Sequence, residues 1–100
     1  MRYLSVKWFQ ASPDFPILII CEIGEDDFET RKIEYFANKK IGIADKSIES
    51  TIAGLGIVEV PSLEEINSDK VFEGVEISQS EFEDHWEKAL SASSMFYLVR

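Results

Sequence analysis

Residues 16–45, PILIICEIGEDDFETRKIEYFANKKIGIAD, restrict the fold more than any other part of the chain. They read as three consecutive β-strands, and the rest of the molecule needs that sheet to pack on. Residues 17–20 are a continuous β-branched and Leu run, the pattern of a strand covered on both faces and placed centrally. Gly24-Glu25-Asp26-Asp27 turns the chain, and residues 28–36 return as the next strand. Its alternation puts Glu29 and Arg31 on one face and Lys32 and Glu34 on the other, while Ile33, Tyr35 and Phe36 make its far end apolar. The expected geometry is a strand whose first half projects past the core, with these charges as cross-strand partners. Ala37-Asn38-Lys39-Lys40 supplies the following turn, with Asn38 expected at positive φ. Residues 41–45 return as another strand.

The flanking segments fit around this unit. In residues 3–9, Leu4, Val6 and Trp8 point one way and Ser5 and Lys7 the other, a half-buried strand. Residues 46–56 are less regular. Ala53-Gly54-Leu55-Gly56 precedes a strand-like IVEV, and no Lys-Ser/Thr follows, so it reads as a turn and not as a phosphate loop. Ser62 and Glu65 form a capping box for a short helix over 61–67, anchored by Leu63 and Ile66. Residues 75–77 suggest a brief extended segment. Ser78/Glu81 and Ser80/Glu83 then offer two overlapping capping boxes for a main helix over 79–92. Its apolar stripe is Phe82, Trp86, Ala89 and Leu90. Residues 91–94 read as a break, and MFYLV at 95–99 as an extended tail, either an added edge strand or an apolar contact surface. The expected molecule is one domain over 1–100, mainly a β-meander through residue 60. Its class is α+β: a curved antiparallel sheet of four to six strands with one main C-terminal helix packed on one face.

Composition narrows the function. The chain is 100 residues long, 45% hydrophobic, and has no apolar run near the ~20 residues that cross a bilayer. The N-terminal MRYLSVKWFQ lacks the h-region of a signal peptide. Cys21 is the lone cysteine, so an internal disulfide is impossible and a reducing cytoplasm is expected. The formal charge is −9. Residues 1–50 hold nine acids against seven bases, whereas residues 59–87 hold ten acids opposed only by Lys70. Such a surface repels nucleic acid and anionic membranes and steers a basic protein toward itself, although the same acids also serve solubility alone.

Specific chemistry is sparse. His85 is the single histidine, and it sits at the edge of the helical stripe as a boundary residue; no Ser-His-Asp set and no zinc site can be assembled around it. Cys21 lies in an apolar strand and reads as an inert thiol. Asp26-Asp27 and Glu64-Glu65 are pairs of the kind that bind a cation or act as acid and base, but Glu25-Asp26-Asp27-Phe28-Glu29 lacks the central Gly of a calcium loop and reads as a solvated turn. The expectation is therefore no catalytic group, no metal, no cofactor, and not an enzyme.

Five pieces, YLSVKW, FPILIICEI, FETRKIEYF with IGIAD, LGIVEVPSLEEIN and EISQSEFEDHWEKA, occur in that order over about residues 3–90. In this combination the chain resembles a family of small uncharacterised bacterial domains, similar in size and acidity to the immunity proteins of bacterial toxin systems. That resemblance implies a cytoplasmic protein that neutralises a cognate toxin, such as a basic nuclease domain, by blocking its active site. The alternative is a stand-alone acidic binding or regulatory module with an unrelated protein ligand. The residues expected to meet the partner are Asp26, Asp27, Glu29 and Arg31 on the projecting hairpin, with Glu64, Glu65, Glu83 and Asp84 of the acidic segment.

Overall fold

The computed structural model describes residues 1–45, 49–50, 55–56, 59–96 and 98–99. In chain order its elements are β1 (Arg2–Trp8), β2 (Leu18–Ile23), β3 (Glu29–Tyr35), β4 (Ile41–Ala44), β5 (Glu49–Ser50), α1 (Leu63–Ser68), β6 (Phe72–Glu76), α2 (Gln79–Phe96) and β7 (Leu98–Val99). The strands form one sheet in the order β6-β1-β2-β3-β4-β5-β7, antiparallel at every step. The apolar run does become the central β2, hydrogen-bonded to β1 and β3. Five strands carry the sheet, and the two-residue β5 and β7 extend one edge. The fold is α+β with a curved antiparallel sheet.

The period of two sorts the apolar side chains into two cores. Tyr3, Ile20, Ile33 and Ile43 face α2 and pack on Phe82, Trp86 and Ala89 of its stripe. Leu4, Val6, Cys21 and Ile23 face the other way, against Val60, Leu63, Ile66 and Phe72. The sheet is thus covered by α2 on one face and by α1 on the other. Close approach of α1 depends on Gly74, where a Cβ would lie 3.0 Å from Leu63 Cδ2 and 3.3 Å from Ile66 Cγ2.

Both helices start as their sequences dictate. The Glu65 amide donates to Ser62 Oγ at 3.2 Å, and the Glu81 amide donates to Ser78 Oγ at 3.0 Å. Ser78, not Ser80, is therefore the cap that α2 uses. The helix does not break at residues 91–94 but runs on through Phe96. Ser-Ala-Ser-Ser holds no Gly or Pro, and its modest helix propensity costs too little to end a helix already docked on the sheet. Leu98–Val99 then pairs with β5, so that part of the tail is an added edge strand. Residues 53–54, 57–58 and 97 of the expected turn, IVEV segment and tail lie outside the described residues.

Two further expectations are corrected. In the β3–β4 turn the positive φ belongs to Lys39 (70°), while Asn38 accepts the Lys40 amide through its side chain at 3.0 Å. The extended segment expected at 75–77 is a five-residue edge strand, β6, which begins at Phe72. Phe9 donates to Val71 O and Ile77 to Tyr3 O, so alternation along this antiparallel ladder turns the N–H and C=O of Gly74 away from β1. Asn67 meets both: Nδ2 donates to Gly74 O at 2.9 Å, and Gly74 N donates to Oδ1 at 2.6 Å. One side-chain amide from α1 stands where a neighbouring strand would lie.

Candidate functional site

A bulge decides where the charges of β3 go. Between Glu22 and Ile23 the β2–β3 register shifts, so that Glu22 opposes Arg31 and Ile23 opposes Glu29. The extra residue, Thr30, reverses the facing of everything before it. Glu29 consequently shares a face with Lys32, not with Arg31, and the two form an ion pair at 3.0 Å with side chains only 11% and 12% exposed. Glu29 also accepts the Gly56 amide at 2.6 Å. The expected pairing of Glu29 with Arg31 is thus replaced by Glu29 with Lys32, because strict alternation fails at a bulge, while Lys32 and Glu34, beyond the bulge, keep a common face.

Arg31 lies between the sheet and α2. Its guanidinium donates to both carboxylate oxygens of Glu22, from Nε at 3.0 Å and Nη2 at 2.7 Å. It donates equally to Glu83, from Nη1 at 2.9 Å and Nη2 at 2.6 Å. It also stacks over the rings of Phe82 and Trp86, 4.7 Å and 5.2 Å from their centroids. Thr30 Oγ1 donates to Glu22 Oε1 at 2.7 Å. Hydrogen bonds from Arg31 hold the carboxyls of Glu22 and Glu83 below the usual carboxylate range. These contacts bind β2, β3 and α2 together, so this half of the hairpin does not project. Nearby, Tyr35 Oη and His85 Nδ1 share a hydrogen bond of 2.8 Å at the helix boundary.

The opposite face carries a different environment. Asp27, at φ 67°, ends the β2–β3 turn, and its carbonyl accepts the Val60 amide at 2.7 Å. Arg2 reaches across to Asp27 Oδ1 at 3.4 Å and to Val60 O at 3.1 Å. These ties fix the segment before α1 beside the sheet and leave a cleft of about 730 Å³ whose charged lining is Arg2, Asp27, Glu59, Glu65 and Glu76. Through Leu4, Val60, Pro61 and Glu65 the cleft continues into an apolar furrow of about 310 Å³, floored by Leu4, Val6, Ile19 and Cys21 and walled by Ile66 and Phe72. Burial pushes the Cys21 thiol up to about 12, with Glu29 adding to it, so the thiol stays protonated and unreactive near neutrality.

The eight residues expected to meet a partner therefore divide. Asp27 and Glu65 come together in the acidic cleft. Asp26 is exposed in the adjoining turn, where its carboxylate accepts the Phe28 amide at 3.1 Å, and Glu64 is exposed in the first turn of α1. Glu29 lines the furrow. Arg31, Glu83 and Asp84 lie on the α2 side, Asp84 exposed beside His85 and Lys88. Arg2, Glu59 and Glu76 complete the cleft and were not singled out, because nothing in residues so far apart in sequence signals their meeting. Among the described residues, no group of three or more His, Cys, Asp or Glu side chains is arranged to hold a metal ion, and no helix is long and apolar enough to cross a membrane.

No curated protein and no solved structure matches the chain. The model of the family described as Domain of unknown function (DUF6881) matches residues 2–91, and the chain belongs to that family.

Proposed function

We propose that this chain is an immunity protein that binds a cognate bacterial toxin with a basic surface, such as a nuclease domain, and blocks its active site by occupancy alone. One observation carries the reading. Nine of the ten acids in residues 59–87 are exposed, and only Glu83, the partner of Arg31, is half-buried. The fold does not spend this charge internally; it presents it on α1, β6 and the first turns of α2. A surface of that kind raises the encounter rate with a basic protein and disfavours nucleic acid itself. A single buried free thiol suits the reducing cytoplasm, where a nuclease partner would have its substrate.

The test is co-expression. A toxin-like reading frame immediately upstream of the gene is expected to arrest growth when expressed alone and to be harmless with this chain, and the two products should co-purify. Continued arrest in the presence of folded chain, or a toxin with an acidic surface, overturns the proposal.

A further inference from the structure

The furrow between α1 and the β1–β2 face joins two features that a single ligand would need. Its floor is aliphatic, formed by Leu4, Val6, Ile19 and Cys21, and its volume of about 310 Å³ is that of a small ligand pocket, enough to admit one or two apolar side chains. Its mouth opens into the cleft where Asp27, Glu59, Glu65 and Glu76 face a single opposing base, Arg2. Glu29, on the furrow wall, is already neutralised by Lys32.

We propose that this furrow and cleft are the docking site for one segment of a basic protein. The segment places an aliphatic or aromatic side chain on the apolar floor and its Lys or Arg side chains against the acids of the cleft. Interfaces draw their affinity from an anchor in a desolvated pocket, and charged rims contribute register and encounter rate. The other exposed apolar surface fits such a partner less well. Phe9, Phe15, Ile17 and Val71 stand at the opposite end of the sheet, where Lys7 pairs with Glu73 and Lys40 lies beside Asp14, so acids there are offset by bases and a basic segment is attracted less. The inference rests on the reading that the partner is basic; a peptide tests the site by itself, and the toxin separates the two readings.

The probe is a synthetic Lys/Arg-rich dodecapeptide with one central Leu, titrated into the methyl-labelled full chain and followed by NMR. Saturable shifts are expected at Leu4, Val6, Ile19 and Ile66, with Ile20, Ile33 and Ile43 on the α2 face unmoved. Replacing the peptide's Leu by Ser should weaken binding about tenfold, as should the double substitution Glu59→Lys/Glu76→Lys at two exposed positions, with the α2-face methyl spectrum of the free variant as the control for folding. Shifts confined to the α2 face, no saturation up to ~1 mM peptide, or equal affinity for the Ser peptide overturns the site. Concentration-dependent shifts at the same methyls without peptide make a second copy the occupant and also overturn it. A toxin that binds but shifts only α2-face methyls leaves the immunity reading standing and removes the furrow. Peptide binding in the furrow with no inhibition of the toxin does the reverse.

Discussion

Arg31 shows how one residue can be structural while its charge suggests otherwise. Hydrogen bonds to Glu22 and Glu83 use four of its five donors, with aromatic faces beneath. The Glu22 side chain is only 8% exposed, so truncating Arg31 strands a buried carboxylate. Arg31→Met is expected to cost about 3 kcal/mol, and adding Glu22→Leu to recover part of that loss, because an apolar pair carries no desolvation penalty. The pH dependence follows from Arg31 depressing both carboxyls. A folded carboxyl held below its ordinary 4.5 takes up its proton later than the unfolded chain does. Its stabilisation is therefore complete above that value and drains away as pH falls through the depressed folded one. Glu34, which burial raises, acts with the opposite sign, but it does so in both proteins and cancels in their difference. Urea unfolding from about pH 6.5 to 3.5 should show the gap between wild type and Arg31→Met narrowing as pH falls. A gap indifferent to pH would mean that Arg31 contributes packing alone.

At the scale of elements, β6 is the exposed edge of the sheet, and α1 protects it with Asn67. Asn67→Ala leaves the outward N–H and C=O of Gly74 without their partners and should cost about 1–2 kcal/mol. It should also free the edge for strand pairing between copies, visible as concentration-dependent association in sedimentation velocity. A variant that stays monomeric and fully stable would show that the Asn67 amide plays no such part. This clamp marks the boundary of what was legible in the sequence. Periodicity exposed the strand at 3–9, the central run at 17–20 and the apolar stripe of α2, because each is a local pattern with one repeat length. Ser62/Glu65 and Ser78/Glu81 were readable for the same reason. The Thr30 bulge was not, since a single extra residue leaves no local signature and yet re-aims Glu29. Nor was the Asn67–Gly74 pairing, which arises only when a helix and an edge strand are brought together. The acidic cleft was half visible: Asp27 and Glu65 stood out by their acidic neighbours, whereas Arg2, Glu59 and Glu76 join them only through the fold.

Across the whole molecule the decisive quantity is the distribution of charge. The chain carries −9, and the fold neutralises acids unevenly. Glu22 and Glu83 share Arg31, a triad that keeps one net negative charge, and Glu29 is balanced by Lys32, so three of the acids are largely offset inside the structure. The acids of 59–87 are nearly all left on the surface, so the field felt at a distance is theirs. Attraction beyond contact distance governs encounter and is screened once the Debye length shrinks to ~10 Å at 0.1 M salt. Contacts formed after docking, such as an anchor on the apolar floor, govern escape. With the purified basic partner, raising salt should therefore slow association strongly while changing dissociation little. Reversing Glu59, Glu64 and Glu76 together should slow association by one to two orders of magnitude. Substituting Ile66, at the furrow wall, by Ala should chiefly speed dissociation, and circular dichroism of the free variant separates that effect from a loss of fold. Stopped-flow kinetics distinguishes these arms. Association indifferent to salt would remove electrostatic steering, and binding would then have to rest on the exposed Phe9, Phe15 and Ile17 at the other end of the sheet.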